Sequence, residues 1–212
     1  MRFEDLSARL ATLPAVLPAP AAGVIPVFTG LLNARPPAAP LDPGSVRAAA
    51  VLVLLFPDDD GDARVVLTER VTRDGHHSGE VSFPGGRAEP GDADLAATAL
   101  REAIEEVALD VTAAGVRVVG ELGRFWIPVS NYDVTPVLAL AERRPILVAS
   151  PDEVARIVTP RVADFLPGAP YETVERTISG WPLRYGAYRV EGLSVWGATA
   201  RVLSQLGAVL AP

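Results

Sequence analysis

A mixed α/β domain, with helices on both sides of a curved sheet, is the fold class this sequence predicts. Three observations carry it. Residues 48–56 form an unbroken apolar run, as a buried strand does. A segment of strong helix-forming composition follows the Pro84-Gly85-Gly86 turn. The chain closes on Val195, Trp196, Thr199, Val202, Leu203, Leu206 and Leu210, which repeat at helical spacing. The resulting order is hairpin, central strand and helix, more strands, then a core-packed closing helix.

From the N-terminus, Phe3, Leu6, Leu10 and Leu13 recur at helical spacing and predict a short amphipathic helix. Residues 14–45 are rich in Pro and Ala and predict an extended, loop-like path. Residues 1–45 thus read as a helix and arm packing on the domain, which occupies 46–212. After the strand at 48–56, the aspartates of 58–62 make a solvated turn; they lack the spacing and the downstream Glu of an EF-hand. Residues 64–68 return as the second strand of a hairpin. Residues 70–79 are a polar loop. Further strands are expected at 116–122 and 134–140, with a loop carrying exposed-type aromatics at 124–128. Pro151, Asp152, Glu153 and Val154 open a short helix, with Pro at a tolerated first-turn position. Residues 171–178 and 184–190 form a late hairpin.

Composition removes several classes of function. There is no cysteine, hence no disulfide, thiolate nucleophile or Cys-ligated zinc. Only His76 and His77 offer imidazole, and neighbours in sequence do not face one point, so loop packing or substrate contact suits them better than ligation. All 19 basic residues are arginine, and the net charge of −7 argues against general nucleic-acid affinity. No run reaches about 18 uninterrupted apolar residues, so no membrane span is expected. With no targeting segment legible, a cytoplasmic protein is expected. No Lys-bearing phosphate loop or Ser-x-Gly elbow is present, against kinase and serine-hydrolase chemistry.

The chemistry concentrates between residues 80 and 109. Asp92 or Asp94 can cap the helix there. Glu102, Glu105 and Glu106, at i, i+3 and i+4, share one face, with Leu100, Ala103, Ile104 and Val107 opposite. Like charges at this spacing repel, and glutamates near a helix C-terminus oppose its dipole. Two readings stay open on these residues alone: a solvated acidic face, or a site for a hard divalent cation, which would remove both penalties.

The same stretch resembles the signature of the Nudix hydrolases, Gly-x5-Glu-x7-Arg-Glu-(apolar)-x-Glu-Glu-x-Gly-(apolar). Gly86 starts it, Arg101-Glu102 and Glu105-Glu106 carry its core, and Leu109 ends it. Asp92 stands in place of the first Glu, one extra residue precedes Arg101, and Ala108 replaces the last Gly. The first two departures are shared by the coenzyme A pyrophosphatase branch. Leu67, Arg70, the run from His77 through Glu80 to Gly86, Val134-Thr135-Pro136-Val137, Asp152-Glu153-Val154 and Trp196-Gly197-x-Thr199-Ala200 also look like that branch.

The resemblance implies a Nudix-type α/β/α sandwich with a curved mixed sheet. It implies Mg²⁺- or Mn²⁺-dependent hydrolysis of the diphosphate of CoA or acyl-CoA to 3′,5′-ADP and a 4′-phosphopantetheine. Glu102, Glu105, Glu106 and a Gly86 carbonyl would hold metal. Arg101 would pair with Asp92, and Glu80 or Glu153 would serve as base or extra ligand. Arg70, Arg73, His77 and Arg87 are the candidate substrate contacts, and Trp126 and Tyr132 could stack on an adenine or serve the core. Asp74 and Gly75 depart from the branch, which keeps a Nudix enzyme for ADP-ribose or NADH as an alternative. A third reading is a catalytically inactive, nucleotide-binding Nudix module. The partner expected is a small CoA-type nucleotide, with a homodimer left open.

Overall fold

The computed structural model describes residues 1–30, 39–71, 80–178 and 180–211. In chain order its elements are α1 (Phe3–Leu10), β1 (Val27–Phe28), β2 (Arg47–Pro57), β3 (Ala63–Val65), β4 (Leu67–Arg70), β5 (Val81–Ser82), β6 (Gly85–Arg87), α2 (Leu95–Val107), α3 (Val111–Ala114), β7 (Val116–Glu121), β8 (Phe125–Ile127), β9 (Tyr132–Ala141), β10 (Val154–Val158), β11 (Glu172–Ile178), β12 (Trp181–Val190), β13 (Leu193–Val195) and α4 (Gly197–Val209).

The central sheet runs β3-β2-β9-β7, with β6 also on β2 and β8 also on β9. Its middle pair, β2 and β9, is parallel, while the flanking pairs are antiparallel. A parallel pair needs a crossover, and the chain between β2 and β9 supplies one through α2. Both faces of this pair are covered, which explains its unbroken apolar sequence. Ala50, Leu52, Leu54, Val137, Ala139 and Ala141 point to α2, where they meet Ala99, Ala103 and Val107. Val53, Leu55, Leu138 and Leu140 point the other way, onto Leu6 and Leu10 of α1 and Leu203 and Leu206 of α4. The result is the mixed α/β/α sandwich, and the alanines on the α2 side let that helix lie close to the sheet.

Smaller sheets flank the centre: β10-β4-β5, and β1-β12-β11 with β13 on β12. Residues 14–30 track the α4 side, where the Ala21 amide donates to Ser204 Oγ at 2.8 Å and Gln205 Nε2 donates to the Pro18 carbonyl at 3.1 Å. No described helix is long and apolar enough to cross a membrane.

Four local expectations are corrected. The return strand at 64–68 breaks at Val66: β3 pairs with β2, but β4 leaves to pair with β5 and β10. Residues 151–154 do not open a helix. They turn into β10, whose β-branched residues satisfy the free edge of β4. The aromatics at 125–127 form β8, half-buried, on the stretch of β9 that β7 leaves unpaired. On α2 the buried face is Thr98, Ala99, Ala103, Glu106 and Val107, while Ile104 is 50% exposed. The helix is therefore rotated from its purely apolar phase, which carries one glutamate inward.

Asp94 caps α2, its carboxylate accepting from the Ala97 amide at 2.7 Å. The other end closes on Ala108 in the left-handed region, at φ 51°. An L-residue there costs about 1–2 kcal/mol, less roughly 0.4–1 for the extra freedom a glycine gives the unfolded chain. Ala108→Gly is expected to stabilise the protein by about 0.5–1 kcal/mol, read as a Tm rise of about 1–4 °C. A lowered Tm would show the left-handed cap to be unstrained.

Candidate active site

One guanidinium assembles the site. Arg101, on α2, donates through Nε and Nη2 to both oxygens of Asp92, at 3.0 and 3.2 Å. Nη2 also donates to the Arg87 carbonyl at 3.0 Å. Nη1 donates to Glu102 Oε1 at 2.8 Å and Glu105 Oε2 at 3.3 Å. These contacts use all five N–H donors of the side chain. Asp92 accepts further from the Glu89 amide at 2.9 Å and from the buried Thr98 hydroxyl at 2.8 Å. The Arg101 contact, then these hydrogen bonds, hold the Asp92 carboxyl well below the usual range. The loop between β6 and α2 is thus locked to the first turns of the helix.

The Gly85-Gly86 turn faces this helix. A Cβ on Gly86 would lie 2.4 Å from Glu102 Oε1, and one on Gly85 would lie 2.5 Å from the Ala50 carbonyl. At Gly85 the clash would be with backbone, so only glycine lets the turn lie so close to the neighbouring strand; at Gly86 a side chain would displace the Glu102 carboxylate. Below the turn sits Glu106, only 3% exposed. Its Oε1 lies 3.9 Å from Arg70 Nη1, at the end of β4, while its buried Oε2 has no hydrogen-bond partner among the described residues. Burial pushes the Glu106 carboxyl up to about 7, against the pull of Arg70 and with the added repulsion of Glu102 and Glu153. Burial likewise raises the Glu102 carboxyl, against Arg101.

The three glutamates therefore occupy three environments along one helix face: Glu105 open to solvent, Glu102 half-buried, Glu106 enclosed. Among the described residues no three acidic or imidazole side chains converge closely enough to ligate one ion; Glu102 and Glu105 turn to Arg101, and Glu106 leans towards Arg70. In chemistry the donors still suit a hard cation: oxygens only, with a lone buried carboxylate oxygen beside a glycine turn.

Arg70 is held by backbone bonds on either side. Its amide donates to the Glu80 carbonyl at 3.0 Å, and the Val71 amide donates to the Glu153 carbonyl at 3.0 Å. Arg87 contributes its carbonyl to the clamp. Arg73, His76 and His77 lie outside the described residues, as do Asp74 and Gly75. Trp126 Nε1 donates to Asn131 Oδ1 at 2.9 Å, and the Tyr132 ring is already covered by the Arg47 guanidinium at 4.1 Å. Sequence reading missed Thr98, because a threonine inside a helix carries no signal until its hydroxyl is seen to reach a carboxylate.

A buried carboxylate, an arginine-locked loop and a glycine turn on the α2 side of a mixed sheet define a recognisable class of site. Residues 46–172 match the NUDIX domain family, and the chain belongs to the Nudix hydrolase family. It is 37% identical over 169 residues to Nudix hydrolase 15, mitochondrial, of Arabidopsis thaliana, covering 77% of this chain and 58% of that protein. It is 32% identical over 178 residues to the uncharacterized Nudix hydrolase NudL of Photorhabdus laumondii, covering 82% and 90%. Against Nudix hydrolase 22, chloroplastic, of Arabidopsis thaliana the match is 58% over 64 residues, so the chain spans 58% and 21% of the two plant relatives. Among solved structures, a MutT/nudix family protein from Enterococcus faecalis aligns with TM-score 0.49 at 16% identity, over 76% of this chain and 61% of that one.

Glu106 makes metal-free stability pH-dependent. Its folded pKa, about 7, lies above the ordinary 4.5, so the folded state holds the proton more tightly. The stabilisation is complete below the unfolded value and is lost as pH rises through the folded one. Glu102, also raised, adds in the same sense. Chelator-treated protein is expected to lose on the order of 2–3 kcal/mol between pH 4.5 and 8 by denaturant unfolding. Glu106→Gln should remove most of that slope; an unchanged slope would place the proton elsewhere.

Proposed function

We propose that this protein hydrolyses the diphosphate of coenzyme A or acyl-CoA, with Mg²⁺ or Mn²⁺, to 3′,5′-ADP and a 4′-phosphopantetheine. The observation that carries the reading is Glu106, an enclosed carboxylate with one oxygen that has no hydrogen-bond partner among the described residues, set between Arg70 and the Gly85 backbone. Such a group is costly to bury unless a cation completes it. The resemblance of the residues from Leu67 to Gly86 to the CoA branch supports the substrate class.

In this reading Glu102, Glu105, Glu106 and the Gly86 carbonyl hold the ion. A bound divalent cation would neutralise diphosphate charge and lower the pKa of a water. Arg101 positions Glu102 and Glu105 and keeps the loop closed, without touching substrate. Arg70 counters the charge of Glu106 and offers its remaining donors to a phosphate oxygen. Glu80 and Glu153, on the two segments that bracket Arg70, are the proposed bases. One of them takes a proton from the attacking water as the phosphorus–oxygen bond breaks and the bridging oxygen leaves with the other phosphate.

Turnover should require a divalent ion, and Glu106→Gln should lower kcat by at least about 100-fold at saturating metal. Liquid-chromatography analysis of products from CoA, acyl-CoA, ADP-ribose, NADH and diadenosine polyphosphates checks the substrate. Unchanged turnover in Glu106→Gln removes the metal-site assignment. A wild-type preference for ADP-ribose over CoA overturns the substrate class.

A further inference from the structure

Two arginines meet the acidic face of α2, and they are held in opposite ways. Arg101 is pinned: its donors reach carboxylates and a carbonyl at 2.8–3.3 Å. Arg70 is not. Its Nη1 stands 3.9 Å from Glu106 Oε1, beyond hydrogen-bond reach, and its guanidinium makes no hydrogen bond among the described residues. The backbone beneath it is fixed by the Arg70 amide on the Glu80 carbonyl, the Val71 amide on the Glu153 carbonyl and the pairing of Arg70 with Val154. The side chain is 39% exposed, against 3% for Glu106. Arg70 therefore combines an anchored backbone with a head group that can turn through solvent.

A carboxylate as enclosed as Glu106 keeps its charge only beside a cation. Of the charges around it, Arg70 favours the ionised form, while Glu102 and Glu153 oppose it. A divalent ion on Glu106 would favour it more strongly. It would also repel the guanidinium, a like charge only a few ångströms away. The contact that gives way is the long one at Arg70, since Arg101 is tied to Asp92 and to the Arg87 carbonyl as well. We propose that Arg70 is a displaceable counter-ion: it yields Glu106 to the metal and turns to a phosphate oxygen of the substrate, so that metal and nucleotide bind with positive coupling carried by this side chain. The proposal rests on the metal-dependent reading of the site. It adds an order of events, in which the metal releases the cation that grips phosphate.

Calorimetric titration with Mg²⁺ alone, with 5′-AMP alone, and with each in the presence of the other tests it without turnover. A pH of 8.5 lies above the Glu106 value of about 7, so protons compete little with metal. Mg²⁺ is expected to bind nucleotide-free Arg70→Gln at least about fivefold more tightly than wild type. 5′-AMP should bind the metal-loaded variant at least about tenfold more weakly, the scale of one charge-assisted contact. The factor by which each ligand raises the affinity of the other, equal for the two by linkage, should fall about fivefold. Arg70→Lys keeps the charge, so its affinity for Mg²⁺ alone should stay within about twofold of wild type. Should Arg70→Gln fail to fold, Arg70→Met keeps the aliphatic stem and carries the same expectations. A purely structural role would weaken both ligands, and a role in phosphate binding alone would leave the affinity for Mg²⁺ by itself unchanged; either result overturns the proposal. A wild type that binds no Mg²⁺ sinks the metal-site reading as well, whereas Mg²⁺ binding indifferent to Arg70 sinks the proposal alone, so the two failures are distinct.

Discussion

The structure around the site depends on the saturation of Arg101. A guanidinium has five donors in a rigid fork, and here each meets an acceptor on one of two segments, the end of β6 with the loop after it and the helix itself. A lysine has the charge but not the planar geometry to hold Asp92 by both oxygens. The clamp fixes the loop, the loop fixes the turn at Gly86, and the turn sets how closely backbone approaches Glu102. Thr98 completes the arrangement from inside the helix by donating to the same aspartate.

Around that clamp the site is built against its own stability. Glu102 and Glu106 are both held where burial disfavours their charge, and each repels the other. The alanines at the α2–sheet seam allow the helix to approach closely, and that approach encloses Glu106. The surrounding core of both sheet faces is large enough to carry this cost. Arg70 moderates it only partly, at 3.9 Å and from one side.

Much of the architecture was legible because both faces of β2 and β9 are buried and their sequences say so without ambiguity. The capping choice was narrowed to Asp92 or Asp94, and the fold divides the work: Asp94 caps, Asp92 locks. Short strands were not legible. β8 and β10 exist because β9 and β4 present unpaired edges, a condition set by distant segments. The phase of α2 was misjudged at Ile104 for a related reason. A hydrophobic wheel ranks side chains by polarity, whereas this helix turns to satisfy Arg101 and to bring Glu106 against Arg70 and the Gly85 backbone.

By itself the sequence determined the two-sided core, the glycine turn, the acidic helix face and the family they resemble, since these follow from periodicity and from spacing within one short segment. Only the tertiary structure decided that three glutamates within little more than one helical turn differ in burial, that Arg70 meets Glu106, and that the Arg201 guanidinium lies over the Phe125 ring. Burial and pairing between residues far apart in sequence are properties of packing, and no local pattern encodes which polar group will be enclosed or left without a partner.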